Sequence, residues 1–303
     1  GGAVGGAVGG GGKRTFGESD ERPRGAVLEE VLAEALSEAR LTSPDITAAC
    51  VGIAAPVTER GEIPPNSPFW KSVAVDREKL QELHPQWRLH VENDANLAAL
   101  AEMGSGDVEE GSTFLTLLSG ERLGAGLVLE GSLHRGAHGA AGEMDYLEQV
   151  VGVGGSHGIA SLARMLTADA LRAGLPTAPA GAGSAEGQGA GAVLGEEIDP
   201  VEVLHAADRG DAVAQDVVEQ ISKRLAIAIS TLGYVLDPEL VVIAGGIAEF
   251  STSVLKGVRR DLADMVTTPP RVVLSTLGRD VVLLGALKSA SDVVRGLALQ
   301  DAL

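Results

Sequence analysis

The chain has 303 residues, 45% hydrophobic and 22% charged, enough apolar side chain for a sizeable core and too much for a globally disordered protein. Its 42 acidic residues against 24 Lys and Arg leave a net charge of −18, which repels phosphate backbones and anionic lipid. Aromatics are only 3%, so the core must come from Ala, Val, Leu and Ile, and a single cysteine, Cys50, excludes an internal disulfide and a Cys-rich zinc site.

The opening twelve residues, GGAVGGAVGGGG, hold eight glycines and too little side chain to define a strand register. With the polar stretch after them they make an N-terminal segment, 1–24, expected to be flexible or a poor edge strand. The chain does not start with Met, so something upstream is expected to have been removed or left out. No basic-then-apolar leader and no run of about 18 apolar residues is present, and the chain reads as cytoplasmic with no membrane partner.

A helical period covers 25–40, and ITAACVGIAAPV (46–57) reads as a strand covered on both faces. A Pro-rich loop, 60–75, leads to a short helix at about 76–83. RLHVEN (88–93) is a strand and a helix begins at Asp94, completing an N-terminal lobe, 25–111. STFLTLL (112–118) and LGAGLVLE (123–130) form strands, with SLHRG returning as a hairpin, and SHGIASLARML (156–166) reads as helix. Residues 173–195 are low-complexity. Asp199-Pro200 opens a helix, and the longest helix, 211–236, carries Val213, Val217, Ile221, Leu225, Ile229 and Leu232 as its apolar stripe until Asp237-Pro238 stops it. LVVIAGG (240–246), a helix at 249–265 and RVVLSTLG complete a C-terminal lobe, 112–283. A final helix at about 284–298 is expected to pack back on the first lobe within a segment 284–303. Alternating strands and helices imply α/β layers on a mostly parallel sheet with one antiparallel hairpin.

Four constellations carry candidate chemistry. VENDANLAALAE (91–102) ends a strand in Asn93-Asp94 and starts a helix, placing an amide and a carboxylate where open α/β sheets bind small molecules. The same residues serve equally well as a helix cap. HRGAHGAAGEMDYL (134–147) sets Glu143 behind small residues, a carboxylate suited to sugar hydroxyls or an exposed loop side chain. His134 and His138 in it lack a third ligand, so no metal site is expected. LLSGERLGAGLVLEG (117–131) offers backbone amides around Gly120 and Gly124 to an anion, or is a bulged hairpin. VVIAGGIAEF (241–250) brings Gly245 and Gly246 to a strand-to-helix turn, which admits a ligand or simply tightens the connection.

Together and in this order the four resemble the ROK family (repressors, open reading frames and sugar kinases) over roughly 46–300. The resemblance implies a two-lobed actin/hexokinase-like (ribonuclease H-like) α/β fold whose N-terminal strands are incomplete here. The family's Asn-and-Trp loop corresponds to Asn66 to Trp70, its ENDAN segment to Glu92 to Asn96, its Gly-Glu carboxylate to Glu143, and its nucleotide-side turn to Gly245 and Gly246. It implies that Asn66, Asn93, Asp94 and Glu143 hold a monosaccharide in the interlobe cleft. Gly120, Gly124, Gly245 and Gly246 would then be a degenerate nucleotide site.

In kinase members the residue matching Asp94 is the general base. The Asp-x-Gly-Gly-Thr phosphate loop of those kinases has no counterpart here, and their Gly-Thr-Gly turn reads Gly120-Glu121-Arg122. An acid against a γ-phosphate costs about 1–4 kcal/mol. Tyr146 stands where zinc-binding members have His, so structural zinc is not expected.

These departures resemble the non-catalytic, sugar-responsive transcriptional regulators of high-GC bacteria. The chain is therefore expected to be a regulator's effector domain, a homodimer without cofactor, contacting DNA only through an N-terminal domain absent from this chain. The alternative is an ATP- and magnesium-dependent sugar kinase using Asp94.

Overall fold

The computed structural model describes residues 24–64, 77–106, 108–175 and 198–300. The expectations for the GGAV repeat, for Asn66 to Trp70 and for most of 173–195 lie outside the described residues. In chain order the elements are α1 (Arg24–Ala39), β1 (Ala48–Ile53), α2 (Arg77–Leu83), β2 (Arg88–Asn93), α3 (Asp94–Glu102), β3 (Phe114–Ser119), β4 (Leu123–Leu129), β5 (Ser132–His134), α4 (Ile159–Arg172), α5 (Pro200–Asp208), α6 (Ala212–Leu236), β6 (Leu240–Ala244), α7 (Thr252–Met265), β7 (Arg271–Leu274) and α8 (Val281–Gln300). They form two compact units. The first combines residues up to Ala101 with Arg135–Ala141 and Val282–Leu303, and the second holds Glu102–His134 and Gly142–Val281.

In the first unit β1 and β2 pair in parallel, Ala48 opposite Arg88 through Ile53 opposite Asn93. Ile53, Ala55, Val57 and Val91 form an apolar cluster joined by Val51 and Ile63. Helix α8 lies so close to α3 that a Cβ on Gly285 would sit 1.8 Å from the Leu97 carbonyl oxygen. Only glycine fits there, which explains a glycine inside a helix where it would otherwise cost about 1 kcal/mol.

The second unit is built on a five-stranded sheet ordered β5-β4-β3-β6-β7. Strands β3, β6 and β7 run parallel, while β4 and β5 turn back antiparallel. Every residue of β6 (LVVIA) is buried, as a strand flanked by parallel neighbours requires. Helices α4, α5 and α7 pack on the long α6. Local rules set the ends of α5 and α6. Asp199 accepts the Val201 N–H at 2.9 Å with Pro200 at the first helical position. Asp211 accepts the Ala214 N–H at 2.9 Å, and Asp237 ends α6 in the left-handed region at φ 45°.

Four elements differ from the sequence expectation. The strand expected at 46–57 covers only Ala48–Ile53, because the chain turns beyond it and the Ala55 carbonyl is claimed by Asn93 Nδ2 at 3.0 Å. The helix expected from 156 starts at Ile159, because the Ser156 carbonyl accepts the Leu123 N–H at 2.8 Å and His157 bridges to Arg122. The last helix starts three residues early, at Val281. On α6, Val213 and Leu232 are only half-buried, while Ala214, Val218, Ala226 and Ala228 are buried in the stripe. The 3.6-residue period of a straight helix rotates a strict four-residue spacing off the packed face.

Candidate functional site

The C-terminal end of β2 and the start of α3 hold the first group of predicted residues. Asn93 is the helix cap: its Oδ1 accepts the Asn96 N–H at 3.0 Å while its Nδ2 holds the Ala55 carbonyl. This leaves Asp94 outside the capping role. Asp94 Oδ1 accepts the Ala95 N–H at 2.8 Å, and Oδ2 has no partner among the described residues. The carboxyl is part-buried, and burial pushes it up from the usual 3.8 to about 6, more than the Ala95 N–H and its own backbone N–H bring it down. A carboxylate with one oxygen unpartnered among the described residues, desolvated and set at a strand's end, accepts a hydrogen bond or a proton from a hydroxyl near neutral pH.

Beneath this ledge, Glu92 is fully buried. Burial pushes its carboxyl up, but His90, Asn96 and Arg135 together hold it below its ordinary value. Asn96 Nδ2 and the Asn93 N–H each donate to Oε1 at 2.9 Å, and Arg135 Nε donates to Oε2 at 2.8 Å. Glu92 therefore fixes Asn93 and Asn96 from below and is not itself available to a ligand. Arg135 was not singled out by sequence reasoning. Its 43-residue separation from Glu92 leaves no local signal.

Glu143 belongs to the second unit and follows a glycine that explains its segment. Gly142 has φ +89°, and a Cβ there would lie 1.9 Å from the Ala125 carbonyl oxygen. Its own carbonyl accepts the Ala125 N–H at 3.0 Å, so the chain before Glu143 is stitched to β4 beyond the end of β5. Glu143 is half-buried.

The glycine turns of the second unit come together. A Cβ on Gly245 would meet the Ser119 carbonyl oxygen at 2.5 Å, so the turn after β6 is pressed on the end of β3. Gly124 lies within β4 opposite Leu118, inside the hairpin ladder and not in its turn. Gly120 leads that turn, with open space around a Cβ. Gly246 stands 3.4 Å, measured from a Cβ, from the Arg279 side chain.

The Gly120-Glu121-Arg122 turn is closed on itself. Three amides at the start of α4 are taken: Gly158 N–H by the Glu121 carbonyl at 2.9 Å, Ala160 N–H by the Gly120 carbonyl at 3.1 Å, and Ile159 N–H by Ser119 Oγ at 2.9 Å. Arg164 Nη1 donates to both Glu121 oxygens, at 2.8 and 2.7 Å. Glu121, the acid expected to oppose a phosphate, thus has a cationic partner in Arg164 while remaining exposed. A helix N-terminus binds phosphate through free amides, and here three of them are already satisfied from within the turn.

The ROK family model matches residues 18–292, most of the chain. The chain belongs to the ROK family. A glucokinase from Halalkalibacterium halodurans is 31% identical over 226 residues, 71% of this chain and 67% of that protein. Among solved structures, a ROK family glucokinase from Streptomyces griseus in complex with glucose and AMPPNP matches with TM-score 0.69 at 21% identity, covering 88% of this chain and 87% of that one. A ROK family transcriptional regulator, a homolog of the E. coli MLC protein, matches with TM-score 0.67 at 22% identity, covering 91% of this chain and 70% of that one. The fold is thus the two-lobed actin/hexokinase-like fold of ROK proteins. Sugar kinases and a regulator share it, so membership alone does not divide catalysis from sensing. Among the described residues no helix is long and apolar enough to cross a membrane.

Proposed function

We propose that this chain is a non-catalytic, sugar-responsive ROK protein, an effector module of the regulator type that binds a monosaccharide or its derivative through the Asn93–Asp94 ledge. The free Oδ2 of Asp94 accepts a sugar hydroxyl, and the buried Glu92 network keeps the ledge from moving. Glu143 and Asn66 enter the proposal on their motif positions alone. Gly120, Gly124, Gly245 and Gly246 are, in this reading, what remains of a nucleotide side. DNA contact belongs to a separate domain, and a second copy of the chain is the expected assembly partner.

The observation that carries the reading is the self-satisfied start of α4. Phosphoryl transfer is mostly positioning and charge stabilisation. A turn whose carbonyls hold the amides of Gly158 and Ala160 presents a triphosphate with few donors. The Gly120–Arg122 turn therefore does not fit ATP in this reading. Calorimetry with hexoses, N-acetylhexosamines and pentoses tests the proposal. Binding by one class, weakened at least about tenfold (about 1.4 kcal/mol) in Asp94→Ala, supports it. No binding by any sugar, or binding indifferent to Asp94→Ala and Glu143→Ala, overturns it.

A second reading, an ATP-dependent sugar kinase, is favoured by the position of Asp94 near pKa 6 and by the likeness to a glucokinase. There Asp94 takes the proton of the attacking sugar hydroxyl. ADP release that requires sugar and disappears in Asp94→Asn would establish it.

A further inference from the structure

Period-two alternation puts Arg88, His90 and Glu92 on one face of β2. Glu92, at the inner end of this row, is occupied by Arg135 and Asn96, with His90 Nε2 3.7 Å from its Oε2. The outer end opens on a solvent-open surface cavity of about 430 Å³ within the first unit. Arg77 and Gln81, one helical turn apart on α2, line it with Arg88, His90, Trp87 and Val293 of α8.

The charge of this lining is unlike that of the chain. Two guanidinium groups and an imidazole line the cavity and, among the described residues, no carboxylate does, on a protein of net charge −18. Neither Arg77 nor Arg88 has a carboxylate partner among the described residues, whereas Arg122, Arg135, Arg164 and Arg260 each do. The walls are held in place. Arg77 Nη1 donates to the Arg60 carbonyl at 2.9 Å, and Gln81 Nε2 donates to the His84 and Trp87 carbonyls at 3.2 and 3.0 Å. Trp87 Nε1 donates to the Ser43 carbonyl at 2.9 Å, with its ring stacked 3.9 Å from His84. At 4% exposure Trp87 offers no ring face for a base to stack on, which argues against a nucleotide and for a compact anion.

We propose that this cavity binds a small phosphate monoester, the phosphoryl oxygens accepting from Arg77 and Arg88, with Val293 beside the carbon portion. Arginine's planar fork suits phosphate oxygens. The cavity lies at the start of β2, about 15–20 Å along the strand from Asp94 at about 3.3 Å per residue, so it is separate from the sugar ledge and stands whether or not the sugar reading does.

Calorimetry and phosphorus NMR on the full chain, with inorganic phosphate and with glycerol 3-phosphate as probes, test the site. The expected result is saturable binding at about 1 mM or tighter. Arg77→Ala or Arg88→Ala should weaken it at least about tenfold, Arg88→Lys should weaken it less, and Lys256→Ala and Asp94→Asn should leave it unchanged. Circular dichroism verifies folding of each variant, and Arg88→Lys preserves the charge where Arg88→Ala fails to fold. No saturable binding of either probe by the folded wild type, equal affinity in the Arg77→Ala/Arg88→Ala double variant, or loss of binding in Asp94→Asn would each overturn the proposal.

Discussion

Arg135 closes on Glu92 with two nitrogens on one oxygen: Nε and Nη2 lie 2.8 and 2.7 Å from Oε2. The carboxylate is buried and the guanidinium is a quarter exposed, so the pair ties the loop before Gly136 to the strand that carries Asn93 and Asp94.

Removing Arg135 leaves a buried charge without its counter-ion. Arg135→Ala is expected to destabilise by about 3–5 kcal/mol in urea unfolding, whereas Arg135→Met with Glu92→Gln should recover much of that loss. A single-variant change below about 1 kcal/mol would show that His90 and Asn96 hold the carboxylate unaided.

Asp94 makes stability depend on pH in an unusual direction. Its folded value, about 6, lies above the unfolded 3.8, so the folded chain holds an extra proton between those two values. This contribution to stability is present below about pH 4 and is lost as pH rises through about 6. Asp94→Asn should therefore stabilise the protein at pH 7 by roughly 1–3 kcal/mol and leave it nearly unchanged at pH 3.5. Thermal melts of both proteins across this range provide the comparison, and a destabilised Asp94→Asn at pH 7 would contradict the assigned environment.

Gly142 is predicted to tolerate no side chain. Its φ of +89° combines with a Cβ position 1.9 Å from the Ala125 oxygen, whereas Gly106, at φ +83°, has open space around it. Gly142→Ala is expected to cost more than about 3 kcal/mol and Gly106→Ala about 1 kcal/mol. Similar unfolding midpoints for the two would refute the close approach of the Glu143 segment to β4.

Cys50 sits on β1 opposite His90. Burial pushes its thiol up to about 11, and the Glu92 charge adds to this against a hydrogen bond from Ser289. The folded protein should react with iodoacetamide at pH 8 about a hundredfold more slowly than the urea-unfolded chain. Equal rates would place the thiol in water.

What the sequence made legible was local. RLHVEN followed by DANLAALAE marks β2 and α3 to the residue, because alternation gives way to a capped helix within two positions. Asp199-Pro200 and Asp237-Pro238 likewise mark helix ends through their own side chains and backbone. The sequence left open whether Asn93 or Asp94 caps α3, and only the Asn96 contact decides it. Long-range partners were out of reach: Arg135 for Glu92, Arg164 for Glu121, and Ser119 for the α4 amide of Ile159 come from other elements. For the same reason the charge of Glu121 was legible and its Arg164 partner was not.

Calorimetric titration of magnesium–AMPPNP into the sugar-saturated chain is the most direct test of the proposal that this protein binds a sugar without catalysis. No saturable nucleotide binding is predicted, with the sugar remaining bound. One-to-one nucleotide binding, together with ADP release from ATP that Asp94→Asn abolishes, would contradict it.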